Sequence, residues 1–153
     1  MTSVTHLVGT RWEHVARRTV EKIVGCPMPG WNLCAASCVI IEIDSGQPVP
    51  NGSQPMMWLV LSGTITSMVT IKEKSHVASY LQKGDIFLST DPHELSELLE
   101  LPTNHQVLES PLARSHKRGV AKENSIVLGT PIRLLSALGK RHPEWYRFVV
   151  VAL

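Results

Sequence analysis

Little in this chain marks a common enzyme class. There is no Gly-x-Ser-x-Gly elbow and no glycine-rich phosphate loop. The three cysteines, Cys26, Cys34 and Cys38, are odd in number and lack C-x-x-C spacing, which argues against both a disulfide framework and a zinc knuckle. A reducing compartment follows. No apolar run approaches the roughly 18 consecutive residues of a membrane span. The amino terminus, with His6 and Arg11 around a very short apolar patch, has no signal-peptide core. A cytoplasmic protein without a membrane partner is therefore expected. Repeats and low-complexity tracts are absent, and a formal charge of +2 is too small to imply a polyanion partner.

What is present is ordinary globular composition, 43% hydrophobic and 18% charged over 153 residues, enough for one domain with a real core. The centre of the chain, 56–88, reads as strands. A short apolar run, Met57 to Leu61, stops at Ser62-Gly63, and a second β-rich run follows at 65–71. The polar turn Lys72-Glu73-Lys74-Ser75 leads to a third run at 76–81, which closes on Lys83-Gly84-Asp85 and reopens as Ile86-Phe87-Leu88. This punctuation predicts an antiparallel meander, with the runs on either side of Gly63 tightly joined.

Upstream, Trp12, Val15, Ala16, Val20 and Ile23 recur at spacings of three and four and predict an amphipathic helix over 10–24. Thr10 and Glu13 form a capping-box pattern at its start, and Gly25 with Pro27 marks its end. Arg11, Arg17, Arg18 and Lys22 fall mostly on the other face, as a solvated surface or as a phosphate-contacting one. Residues 26–32 read as a loop, and 34–43, with Cys34 and Cys38 as inert packing two pleats apart, as a strand ending at Asp44-Ser45-Gly46. A helix is expected over 91–101, capped by Asp91, Pro92 and Glu94, and a strand at 105–108. Short strands are expected at 119–121 and 125–128. Two helices follow, one from Thr130-Pro131 to about Lys140 and one from Pro143.

In this order the elements resemble the cyclic nucleotide-binding domain of the catabolite activator and FNR type of regulator. The residues that carry the resemblance are Asp44 to Val49, Trp58-Leu59-Val60-Leu61-Ser62-Gly63, Leu81 to Phe87, and, at the carboxy end, Ser125 to Leu128, Leu134-Leu135-x-Ala137-Leu138 and Arg141-His142-Pro143-Glu144. It covers roughly 34–153 and implies a mainly β fold with flanking helices. The expected form is a double-stranded β-helix, a jelly-roll or cupin-like β-roll, over 34–128. An N-terminal helix and loop (1–33) and two C-terminal helices for hinge and dimerisation (129–153) would flank it.

The resemblance implies a ligand corner at Gly84, Asp85, Ser89, Thr90, Arg114, Arg118 and Ala121. Where nucleotide-binding members carry glycine-glutamate, this chain has Leu88-Ser89, and the following cassette is lengthened by 91–117. Arg114 or Arg118 is the candidate phosphate partner, against the plainer reading of Arg114-x-His116-Lys117-Arg118 as a surface basic cluster. Binding of cAMP or cGMP in the usual geometry is not expected.

The expected function is a non-enzymatic regulatory or interaction domain, acting through protein contacts or a different small ligand in the roll, with no fixed cofactor. Two alternatives stay open: a cyclic nucleotide sensor with an unusual cassette, and a small cupin-like metalloenzyme drawing on His76, His93, Glu94, Glu97, His105 and His116. Their spacing matches no ligand motif, so no metal site is expected. The tryptophans read as core and rim packing. The sequence stops before a helix-turn-helix, so direct DNA binding is not expected. Trp145, Phe148 and Val149, on an apolar terminal helix, are the expected contact for a homodimer or a heteromer.

Overall fold

The computed structural model describes residues 3–50, 54–88 and 116–152. Eight strands and four helices are placed there. In order they are β1 (Ser3–His6), α1 (Trp12–Val24), α2 (Trp31–Ser37), β2 (Val39–Ile43), β3 (Met56–Ser62), β4 (Ile65–Ile71), β5 (Lys74–Leu81), β6 (Ile86–Leu88), β7 (His116–Ala121), β8 (Ser125–Pro131), α3 (Ile132–Arg141) and α4 (Glu144–Ala152). The fold is mainly β with flanking helices. One sheet has five strands in the order β1-β2-β8-β3-β6 and the other three in the order β5-β4-β7, every pair antiparallel. The helix expected over 91–101 and the strand at 105–108 lie outside the described residues.

The five-stranded sheet is covered on both faces, which explains why β3 is apolar almost throughout instead of alternating. Met57, Leu59 and Leu61 face the helices with Ile40 and Leu128. Their neighbours Met56, Trp58 and Val60 face the second sheet with Ile41, Ile43 and Val127. Two apolar layers result, one between sheet and helices and one between the two sheets.

Several local expectations carry through. The helix α1 ends at Gly25, whose φ of 87° is left-handed and whose N–H donates to the Glu21 carbonyl at 2.8 Å. At its start the capping pattern is shifted by one residue. The Thr10 hydroxyl accepts from the Trp12 N–H at 3.3 Å, and the Glu13 carboxylate accepts from the Gly9 N–H, also at 3.3 Å. The turn between β4 and β5 is tighter than expected, because only Lys72 and Glu73, with φ of 50° and 68°, leave the strands.

Three expectations are corrected. The runs on either side of Gly63 do not pair: β3 bonds to β6 and β8, while β4 bonds to β5 and β7 in the other sheet. Gly63, at φ 86°, is the corner where the chain passes between sheets. The strand expected from Cys34 begins only at Val39, since Trp31, Cys34 and Ala35 are buried at helical spacing and form α2 behind a left-handed Gly30. Residues 3–6 add an edge strand to β2; with all four exposed, they carry no burial pattern from which to read it.

Candidate functional site

The corner between β5 and β6 is built by its own residues. Gly84 takes φ 94°, a conformation that favours glycine, and its N–H donates to the Val60 carbonyl at 2.9 Å. The Val60 N–H returns a bond to the Asp85 carbonyl at 3.0 Å, so the corner is pinned to β3. The Asp85 carboxylate accepts from the Gln82 N–H at 2.8 Å, reaching back three residues to close the turn. Both residues therefore shape the backbone, and the carboxylate is already engaged.

From this corner β6 runs to the inner face of β7. A Cβ on Gly119 would stand 2.9 Å from Ile65 and 3.2 Å from both Phe87 and Val49, so the two strands meet across the gap between sheets. Phe87 is stacked with Trp58 at a centroid separation of 6.4 Å. Strand alternation buries Gly119 and Ala121 and turns Arg118 outward, where it is exposed. The outer edge of β7 is held by the 46–49 segment, through Gly46 N–H to Ala121 O at 2.7 Å and Val49 N–H to Gly119 O at 2.8 Å.

The space between the sheets is accordingly filled with apolar side chains, and among the described residues no charged side chain is buried. Of the ligand corner expected from sequence, Gly84 and Asp85 form the turn pinned to Val60 of β3, Ala121 is buried on β7 beside Ile65, and Arg118 is exposed. Ser89, Thr90 and Arg114 lie outside the described residues, as do His93, Glu94, Glu97 and His105. Among the described residues no three of histidine, cysteine, aspartate and glutamate form a group suited to a metal ion, and no helix is long and apolar enough to cross a membrane.

The expected contact residues of the last helix are internal. Trp145, Phe148 and Val149 are buried in the layer between helices and sheet. Trp145 stacks on Trp31 at 6.4 Å and 14°, meets Phe148 edge-on at 79°, and donates its indole N–H to the Pro29 carbonyl at 2.7 Å. The stripe is covered by the chain's own α1, α2 and α3, so the exposed apolar residues of α4 are Val150 and Val151, 57% and 59% exposed, beside the exposed Arg147. One pair, read from the sequence as inert packing, is arranged differently. Cys34 and Cys38, expected on a strand, sit instead one helical turn apart with sulfurs 3.6 Å from each other; the i, i+4 interval was the available signal.

No family model matches the chain, and no curated protein matches it in sequence. Solved structures do match. The fold is that of cyclic nucleotide-binding domains and of the sensor domains of CooA-, DNR- and catabolite-activator-type regulators. A cyclic nucleotide-binding domain from Methylobacillus flagellatus superposes with a TM-score of 0.58 at 13% identity, covering 97% of this chain and 78% of that one. The sensor domain of the transcriptional regulator DNR from Pseudomonas aeruginosa gives a TM-score of 0.58 at 9% identity, covering 93% and 88%. The regulatory domain of Toxoplasma gondii PKA, solved with cAMP, gives 0.61 at 12% identity, covering 88% and 47%. At such identities the likeness is one of fold.

Proposed function

We propose that the protein is a non-enzymatic regulatory domain on a cyclic nucleotide-binding-type β-roll, working through protein contacts or a small ligand other than a cyclic nucleotide held in the usual way. The observation that carries this reading is the interior between the two sheets. Trp58, Phe87, Val49 and Ile65 fill it, Arg118 points out of it, and no described charge is buried there to face a phosphate. A cyclic nucleotide brings a permanent negative charge, and burying that charge without a cationic or N–H partner is costly.

In this proposal the unit 34–128, whose strands from β2 onward make the double-stranded β-helix, senses, 1–33 lie against it, and 129–153 pass the state of the roll to a partner. With Trp145, Phe148 and Val149 committed to the core, the partner, a second copy or a longer relative, meets α4 at Val150 and Val151. The reading also places the protein in the cytoplasm, without a metal cofactor.

Calorimetric titration of the purified chain with cAMP and with cGMP tests the central point. The expected result is no saturable heat from either. Micromolar binding that disappears in Arg114→Ala or Arg118→Ala would establish instead a cyclic nucleotide sensor with an unusual cassette, a reading favoured by the fold shared with the cAMP-bound PKA domain.

A further inference from the structure

Cys34 lies within α2 and Cys38 is its C-cap residue, both buried on the face that packs on the five-stranded sheet. Their sulfurs stand 3.6 Å apart, and the Cys38 sulfur and the Thr130 hydroxyl of β8 are hydrogen-bonded at 3.4 Å. The two thiols are not equivalent. The hydrogen bond from Cys34, helped by Thr130, holds the Cys38 thiol down against the opposing effect of burial. The same hydrogen bond, with burial, holds the Cys34 thiol well up. One sulfur is thus set up as nucleophile and the other as a protonated neighbour within reach of it.

We propose that Cys34 and Cys38 form a redox-reactive dithiol that closes to an intramolecular disulfide when the protein meets a hydroperoxide. With hydrogen peroxide, the Cys38 thiolate attacks one oxygen; the O–O bond breaks, and the departing hydroxide leaves as water with the proton Cys38 gave up. Cys38 is then a sulfenic acid. The Cys34 sulfur attacks the Cys38 sulfur, the S–O bond breaks, and the second hydroxide leaves as water with the Cys34 proton. Two thiols have lost two electrons and one hydroperoxide has taken them. An external dithiol reverses the change.

The geometry allows this closure. The sulfurs have to come in to about 2.05 Å, a movement of about 1.5 Å. That movement falls on a seven-residue helix whose N-cap, Gly30, supplies no side-chain bond. Cys34 and Cys38 are 2% and 0% exposed, so in this proposal the oxidant reaches them when α2 opens locally. Closure draws Cys38 off Thr130, and Thr130 connects to the roll. It pairs with Met57 on β3, and its neighbour Gly129 would, with a Cβ, touch Trp58 on the inner face at 2.5 Å.

The test uses the full chain, reduced, freed of reductant and titrated with hydrogen peroxide, then unfolded in N-ethylmaleimide and weighed. The expected product carries one alkylated cysteine in place of the three of the reduced chain, Cys26, Cys34 and Cys38. Its linked Cys34–Cys38 peptide is two hydrogens lighter, and dithiothreitol restores the starting mass. Tryptophan emission should shift in step, because Trp31 lies one turn before Cys34. The Cys26→Ser variant keeps the product and Cys34→Ser loses it. Oxidation that stops at sulfinic or sulfonic acid on single cysteines, that yields only Cys26-linked dimers, or that leaves Cys34 and Cys38 fully alkylatable after Cys26 has reacted would overturn the proposal. The wild-type peptide map decides this even if Cys34→Ser does not fold.

Discussion

Trp145 and Trp31 lie face to face, 6.4 Å between ring centroids and 14° between planes, with the Trp145 indole bonded to Pro29 at 2.7 Å. The last helix is thereby fastened to the loop that precedes α2, across 116 residues of sequence. Trp145→Ala should cost about 3–5 kcal/mol through lost burial and the cavity left behind. Trp145→Phe should cost about 1–2 kcal/mol, since it leaves the Pro29 carbonyl without its donor. Urea denaturation checks both as a lower midpoint at unchanged slope. Changing Val150 and Val151 to serine should stay within about 0.5 kcal/mol each, as exposed sites do. A Trp145→Ala protein with wild-type stability and an altered sedimentation coefficient would show instead that the ring is a contact surface.

The corner at Gly63 separates backbone conformation from space. Its φ of 86° is matched by Gly46 at 87°, but a Cβ at Gly46 would meet nothing within 4 Å. At Gly63 it would run into the Ser125 hydroxyl, and the Asn124 carbonyl would be 2.7 Å away. Gly46→Ala should therefore show conformational strain alone, about 1 kcal/mol, and Gly63→Ala strain plus collision with backbone, about 3 kcal/mol or more. Thermal melts of the pair give the difference. Equal losses would mean that the corner is free to move.

At the β5–β6 corner the prediction concerns a role. The Asp85 carboxylate closes its own turn, so Asp85→Asn, which keeps an accepting oxygen, should be nearly neutral. Asp85→Ala should lose about 0.5–1.5 kcal/mol, the usual worth of one hydrogen bond. Hydrogen exchange at the Gln82 amide should rise in Asp85→Ala and stay slow in Asp85→Asn. Equally slow exchange in both variants would mean that the carboxylate holds nothing in the turn.

These residues also mark how much could be read from the chain. Gly25, Gly84-Asp85 and the leucine spacing of α3 are local signals that fall where expected, and the turn at Lys72-Glu73 falls within the stretch expected for it, because neighbouring residues decide the conformation. The pairing partners of β3 and β4 were not legible, since the Gly63 corner is fixed by Ser125, about sixty residues away. Misreading 34–37 as strand has a similar cause: the helical period of Cys34 and Ala35 appears only when Trp31, assigned to a loop, is counted with them. Trp145 looked like a contact residue because what covers it, α1 and the 27–31 loop, lies at the other end of the sequence. Of the site, the turn-forming glycine and aspartate were legible and the apolar filling of the roll was not, because strand alternation fixes which residues share a face but not what the opposite sheet places against them.

The last prediction follows from the unequal thiols. A thiol whose folded-state pKa is lowered, Cys38, adds stability that is present above the ordinary thiol value of 9.0 and is lost as pH falls through its folded-state value. A thiol whose pKa is raised, Cys34, adds stability that is present below 9.0 and is lost as pH climbs toward its own folded-state value. The pair's contribution should therefore peak near the ordinary thiol value and decline on both sides. It is measured as the difference in urea stability between the wild type and the Cys34→Ser, Cys38→Ser double variant across alkaline pH. Thr130→Val removes one of the two hydrogen bonds that hold the Cys38 thiol down while keeping the side chain's shape. It should move the first thiolate absorbance step to higher pH and shrink the acid flank of the peak, leaving the alkaline flank in place. A flat difference across this range would mean that the two sulfurs do not share a proton in solution.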